Sequence, residues 1–144
     1  MGMWLPWNNR SGAGVIGVRG ALSVWLLLGL CGCESDQPVL VEVTGRVTLR
    51  GQGLTAGSIT FHPTADNPFQ SDAPSSQLQL DGSFRMRTWP WGDGVPQGSY
   101  RVTLSPELAG RIGRARYADK SSTPLLITVP ESPMAGHEFR VDDP

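Results

Sequence analysis

The chain has 144 residues, of which 39% are hydrophobic and 17% charged, with 18 glycines and 12 prolines. This length fits one domain, and the abundance of Gly and Pro disfavours a helical bundle. The formal net charge of −1 gives no basic field of the kind that binds nucleic acid, and two cysteines exclude a disulfide-stapled mini-protein and a four-cysteine zinc site. We expect no metal and no cofactor, because the two histidines are far apart in the sequence.

Residues 1–32 have the composition of a secretion signal. Arg10 and Arg19 are the only charged residues before Glu34, and a mostly apolar run, residues 21–30 (ALSVWLLLGL), follows them. As a helix, ten residues rise only about 15 Å, which is half the thickness of a bilayer's hydrocarbon core. We therefore expect a cleaved signal peptide rather than a stable membrane span.

The last residues of this segment, 30–33 (LCGC), resemble the lipobox of bacterial lipoproteins. The resemblance implies that the signal is removed before Cys33 and that the thiol of Cys33 carries a diacylglycerol. Two or three acyl chains hold a protein firmly at a membrane, whereas a single chain does not. The sequence departs from the usual pattern at Cys31, where Ala or Ser is more common.

Other interpretations of the N-terminus stay open, namely an ordinary cleaved signal, a retained anchor, or a start codon other than Met1 or Met3. Under the lipoprotein interpretation, residues 33–38 form a short tether and the domain lies outside the cytoplasm, anchored to the bacterial cell envelope. Residue 34 is Glu rather than the aspartate associated with inner-membrane retention in some bacteria, which favours the outer membrane.

From residue 39 onward, apolar and polar residues alternate in seven short runs, the pattern of half-buried strands. The Asp81-Gly82 pair between two of these runs is typical of a tight hairpin turn. Short amphipathic strands separated by Gly/Pro turns predict an all-β domain over 39–144, with two antiparallel sheets packed face to face and no helix. A closed barrel is the alternative. The apolar positions that we expect to face the core are Val39, Val41, Val43, Val47, Leu49, Ile59, Phe61, Leu78, Leu80, Phe84, Met86, Tyr100, Val102, Leu104, Leu125, Ile127, Val129, Phe139 and Val141.

Four stretches in order resemble the transthyretin-like or carboxypeptidase-regulatory-like β-sandwich. They are residues 43–63 (VTGRVTLRGQGLTAGSITFHP), 78–86 (LQLDGSFRM), 91–104 (WGDGVPQGSYRVTL) and 116–129 (RYADKSSTPLLITV). The resemblance implies a seven-stranded antiparallel Greek-key sandwich in an extracytoplasmic setting. It implies no catalytic residue.

Two loop segments supply the candidate ligand contacts. Trp89 and Trp91 flank a proline, and exposed tryptophans are good platforms for sugars or partner proteins. Arg111, Arg114 and Arg116 lie in the segment 106–123, which we interpret as a loop; such a basic cluster suits anionic sugars or lipid headgroups near a membrane.

The chemistry of the remaining residues favours a binding module over an enzyme. His62 and His137 lie on predicted strands, and neither belongs to an H-x-H or H-E-x-x-H motif. We therefore expect a non-catalytic binding, adhesion or envelope-scaffold role. The partners would be the membrane through the lipid at Cys33 and an envelope protein or glycan, but no nucleic acid. The alternative is a small hydrolase or an accessory subunit of an envelope enzyme, with one of the histidines in its active site.

Overall fold

The computed structural model describes residues 37–142. The predicted signal peptide, the lipidation site at Cys33 and the start of the tether lie outside the described residues, as do the last two positions of the predicted domain. Within the described part of the chain, no helix is long and apolar enough to cross a membrane.

Strands make up most of the regular secondary structure of the described residues, which confirms the prediction of an all-β fold. The strands are β1 (Leu40–Val41), β2 (Val43–Leu49), β3 (Gln52–Gly53), β4 (Ser58–Pro63), β5 (Ser75–Gln77), β6 (Ser83–Arg85), β7 (Arg87–Thr88), β8 (Gly92–Asp93), β9 (Val95–Pro96), β10 (Gly98–Leu104), β11 (Leu126–Val129) and β12 (Met134–Arg140). Each of the seven alternating runs contains or overlaps one of these strands, whereas β3, β8 and β9 lie outside the runs.

Two main sheets carry the fold. Sheet I has six strands in the order β11-β10-β4-β5-β7-β8. Sheet II has the order β12-β2-β3, with β6 also paired to β2, and a separate two-stranded ladder joins β1 to β9. The chain passes from sheet II to sheet I between β6 and β7, at Met86, whose amide donates to the Val43 carbonyl.

One strand pairing differs from the antiparallel expectation, because β12 runs parallel to β2. The pairing is irregular between Met134 and His137. Gly45 of β2 lies where these strands and β6 approach most closely: a Cβ at this position would contact the His137 carbonyl and would lie 2.7 Å from the Phe84 ring. A residue without a side chain is therefore needed at the centre of β2.

A single apolar core is shared by the two sheets. The Phe139 ring from sheet II meets the Phe61 ring of sheet I edge-on at 6.0 Å and stacks on the Phe84 ring at 5.9 Å. Tyr100 is fully buried, and its hydroxyl donates to the Pro96 carbonyl across 2.7 Å. Aromatic pairs of this kind add to the free energy gained from burying apolar area.

Most of the side chains predicted to face the core are buried, but four are not. Leu49 and Leu125 are only partly buried against the core. Val39 is exposed because it precedes β1, and Leu80 is exposed because β5 ends at Gln77 and the chain is already turning towards Gly82. Alternation alone therefore extended two of the predicted strands too far.

The prediction that residues 106–123 form a loop without helix is wrong. Helix α1 covers Pro106–Arg111, and a 3₁₀ helix covers Ala115–Ala118. Pro106 occupies the first turn, where its missing N–H costs nothing, and Glu107 suits the positive end of the helix dipole. Leu108 and Tyr117 are buried in the core, and this burial holds both short helices against the sheets.

Strand directions define two ends of the domain. In sheet I, neighbouring strands run in opposite directions from β10 through β4 and β5 to β7, so β7 runs opposite to β10. Strand β6 leads directly into β7 and is antiparallel to β2. Strands β10 and β2 therefore run the same way. The chain enters at Val39, and the β7–β8 and β9–β10 turns lie at that same end, which we call the entry end. Helix α1 follows β10 and lies at the opposite, far end.

Candidate functional site

An exposed tryptophan borders a shallow cleft of about 280 Å³ on the outer face of sheet I. The cleft opens between β5 and β7, which pair only at Ser75 and Arg87 and then diverge because the chain before Arg87 belongs to sheet II. Its lining comes from the two strands and the turn that follows them: Ser75, Ser76, Gln77, Arg87, Thr88, Trp89 and Gly92. We call this the Trp89 cleft.

Strand parity explains why Trp89 points outward. Thr88 is fully buried, and its hydroxyl donates to the Gly94 carbonyl across 2.7 Å. Because side chains alternate along a strand, the neighbours of Thr88 face solvent on the other side of the sheet. Trp89 is accordingly 81% exposed, so a large apolar ring is in contact with water in the unbound protein.

Charge in the Trp89 cleft is already neutralised within the protein. The Nε of Arg87 lies 2.8 Å from a carboxylate oxygen of Asp93, its cross-strand neighbour. The rest of the lining offers the Ser75 hydroxyl and the Gln77 amide, while the Ser76 hydroxyl already accepts from the Arg85 amide and donates to the Gln77 carbonyl. These groups donate and accept hydrogen bonds without carrying charge, so the cleft is suited to a hydroxylated or amide-bearing ligand.

Trp91 has a different environment from Trp89. It is partly buried and does not line the cleft. Its indole Nε1 is buried, and no hydrogen-bond partner for it is found among residues 37–142. Of the two tryptophans singled out in the sequence, the structure brings only Trp89 to the cleft.

The three predicted arginines lie at the far end, and their contacts are with their own segment and with the chain before β4. Arg111 donates to the carbonyls of Thr55 and Ala56, which fastens α1 to the chain before β4. The Arg116 guanidinium lies 5.3 Å from the centre of the Tyr117 ring, and Arg114 is partly buried. The structure therefore does not bring the arginines and the tryptophans together in one site.

The two histidines lie in different sheets. His62 of β4 is hydrogen-bonded to the Thr103 hydroxyl at 2.9 Å, and burial together with the nearby charge of Lys120 lowers the pKa of its imidazole. The His137 ring packs edge-on against Phe139 at 4.6 Å, and burial lowers its pKa as well. Each histidine is thus held by contacts that favour its neutral form.

A larger depression of about 730 Å³ lies on the outer face of sheet II. Its charged side chains take part in ion pairs. Arg46 lies 3.1 Å from Asp81, and Arg85 lies 2.7 Å from Glu42. Hydrogen bonds from Ser83, supported by Arg46, lower the pKa of Asp81 to about 2. We favour the smaller Trp89 cleft as the site, because the charged groups of this larger face have partners in the chain.

Sequence reasoning missed the polar half of the Trp89 cleft. Arg87 and Trp89 share one parity, so their common face was readable from the sequence. The pairing of Ser75 with Arg87 could not be predicted from the sequence, because the chain passes through sheet II between these two residues before it returns to sheet I.

Among residues 37–142, no group of three or more His, Cys, Asp and Glu side chains is placed to hold a metal ion. Comparison of the chain with protein-family models, with curated proteins and with solved structures finds no match.

Proposed function

We propose that this chain is a lipid-anchored, extracytoplasmic binding module that acts without catalysis, and that the Trp89 cleft is its contact site. The exposure of Trp89 carries the proposal, because an indole ring that is 81% exposed beside a polar cleft is a ready contact for another molecule. The domain would serve binding, adhesion or scaffolding in the bacterial cell envelope.

The proposed architecture is a seven-stranded Greek-key sandwich of the transthyretin-like or carboxypeptidase-regulatory-like type. Three features support it: two sheets that share one core, a strand in or overlapping each of the seven predicted runs, and the crossing of the chain between sheets at Met86. The additional short strands β3, β8 and β9 would then be extensions at the turns of this framework.

The proposed anchor is a diacylglycerol on Cys33. Its support is the order of a basic segment, a short apolar run and the residues LCGC, followed closely by a folded domain whose first strand begins at Leu40. Residues 33–39, fully extended, span at most about 20 Å, so the entry end of the domain would stay near the membrane surface. The Trp89 turn lies at this end, and the arginine-rich segment lies at the other.

The anchor is tested by fractionating cells that express the full chain with Cys33→Ser, alongside Cys31→Ser as the matched control. We expect Cys33→Ser to move the chain from the membrane to the soluble fraction and to abolish labelling with radioactive palmitate. Cys31→Ser should stay in the membrane and stay labelled, because that cysteine would leave with the signal. A Cys33→Ser chain that remains membrane-bound would show that the anchoring proposal is wrong.

The contact site is tested by sedimentation with purified cell envelopes. The Cys33→Ser chain, which carries no anchor, should bind envelopes saturably, and adding Trp89→Ala should weaken this binding. Adding Leu80→Ala is the control, because Leu80 is similarly exposed but lies at the far end, outside the cleft. Equal binding by the Trp89→Ala and Leu80→Ala chains would contradict the assignment of the site.

A further inference from the structure

We propose that the ligand of the Trp89 cleft is an uncharged, extended saccharide chain, and that it continues from Trp89 along β5 to the start of α1. This inference rests on the proposed function, since it names the class of ligand for the same site. It assigns a second subsite to residues outside the Trp89 cleft and makes Gln77 the residue that joins the two.

A second shallow cleft of about 380 Å³ adjoins the first. Gln77 lines both clefts, so the two adjoin at this side chain, and together they are called the trough. The second cleft is lined by residues of the chain before β4, the end of β5 and the start of α1: Ala56, Gly57, Ser58, Gln77, Leu78, Ser105 and Glu107. The trough therefore runs from the entry end of the domain to the far end.

The strands hold the floor of this trough in register. Ser58 of β4 lies directly opposite Gln77 of β5. The Ser105 amide donates to the Ser58 carbonyl across 2.9 Å, which fixes the start of α1 against the end of β4. Ser58 and Gln77 are thus held on paired strands, which position side chains more precisely than loops do, and Ser105 is fixed to this pair by its backbone hydrogen bond.

The chemistry of the lining indicates the ligand. Hydroxyl and amide groups from Ser58, Ser75, Gln77 and Ser105 follow one another along the trough, and each can donate or accept a hydrogen bond. Trp89 at one end offers the apolar ring face on which the C–H face of a sugar stacks. A chain of hydroxylated rings matches this sequence of groups better than an apolar partner does.

The charges favour a neutral chain over an acidic one. Arg87 is the only basic residue among the described residues that line the two clefts, and it is paired with Asp93 at 2.8 Å. At the other end the lining contains the exposed carboxylate of Glu107. Among residues 37–142, an acidic polysaccharide would meet no unpaired cation in the lining of the trough and would be repelled by Glu107, while Arg111 next to Ala56 already donates to backbone carbonyls.

The test is calorimetric titration of the full chain with chitooligosaccharides, which are uncharged, from the monomer to the hexamer, and with an oligogalacturonate series as the acidic probe. We expect affinity to rise with the length of the neutral chain and to be weaker for the acidic chain of equal length. Trp89→Ala should reduce the affinity for the hexamer by more than about tenfold, as expected for a central aromatic contact.

Two matched variants separate the second subsite from the first. Gln77→Ala should weaken binding of the hexamer but leave the weak binding of the monomer unchanged. Gln79→Ala, which removes another exposed glutamine two residues further along the chain, should change neither, because Gln79 lines the depression on sheet II.

Three outcomes overturn the inference: no binding of any neutral oligosaccharide, stronger binding of the acidic series, or equal effects of Gln77→Ala and Gln79→Ala. If envelope binding depends on Trp89 while all saccharides fail to bind, the proposed contact site survives and the ligand is of another class, such as an envelope protein. If envelope binding does not depend on Trp89 either, the proposed function fails as well.

Discussion

The outer faces of the two sheets differ in how their polar groups are used. On sheet II, arginines and carboxylates alternate and pair with one another, as Arg46 does with Asp81 and Arg140 with Glu138. On sheet I, hydroxyl and amide groups dominate around β5, and an exposed tryptophan stands beside them. Exposed ion pairs contribute little stability but keep a surface solvated. This difference is our reason for proposing the smaller cleft, rather than the larger depression, as the contact site.

The largest expected loss of stability comes from replacing Phe139, whose ring joins the two sheets through the core. Phe139→Ala should lower the free energy of unfolding by about 3–5 kcal/mol, because it empties the space between Phe61 and Phe84. Urea denaturation measures this change. Leu126→Ala, at a mostly exposed position on β11, is the control and should change stability by less than about 0.5 kcal/mol. A loss below about 1 kcal/mol for Phe139→Ala would contradict a shared core.

The next largest loss of stability is expected at Thr88, whose buried hydroxyl holds the turn beside the Trp89 cleft. Thr88→Val keeps the shape of the side chain but leaves the Gly94 carbonyl without its buried partner, so we expect a loss of about 1–3 kcal/mol in thermal unfolding. Thr128→Val is the matched control, because that threonine is exposed and water replaces its hydrogen bond. Equal stability of the Thr88→Val and Thr128→Val chains would show that the hydroxyl of Thr88 does not hold the turn.

A smaller effect is expected from pH. His62 and His137 have folded-state pKa values lowered below the unfolded value of about 6.5, chiefly by burial. The unfolded chain therefore binds protons more readily, and stability should fall as the pH drops through and below about 6.5. Urea unfolding at pH 7.5 and pH 5.5 measures the slope. The His62→Gln/His137→Gln chain should show a flatter slope, and an unchanged slope would exclude the histidines as its cause.

The smallest effect concerns sheet II. Hydrogen bonds from Ser83 come first among the causes that lower the pKa of Asp81 to about 2, ahead of Arg46. Ser83→Ala should therefore raise the pKa of Asp81 more clearly than a change of salt concentration does. Titration followed by carbon NMR measures both. A pKa near 3.8 for Asp81 in the unmodified chain would show that these contacts do not persist in solution.

The sequence predicted the strands well because alternation reports directly on which side chains are buried. Val43, Val47 and Phe61 all occupy the fully buried positions that their parity indicated. The same rule failed at Leu80, since a turn can follow a strand without any break in the alternation. It also missed α1, because six residues give too few turns for a helical period to be recognised.

The candidate site was predicted only in part, for a reason of topology. Trp89 and Trp91 were both singled out as exposed ligand contacts, and the structure exposes Trp89 but partly buries Trp91; ligand contact by Trp89 stays a prediction. Ser75 and Gln77 could not be assigned to the same site, since their proximity depends on the crossover of the chain from sheet II to sheet I. The basic segment could not be placed at the far end without knowing the direction of β10.

Intact-mass and peptide mass spectrometry of the protein purified from membranes tests the central proposal most directly. We expect a mature chain that begins at Cys33 and carries the added mass of a thioether-linked diacylglycerol at that residue. A polypeptide that begins at Met1 or Met3, with an unmodified thiol at Cys33, would contradict the proposal that this domain is held at a membrane.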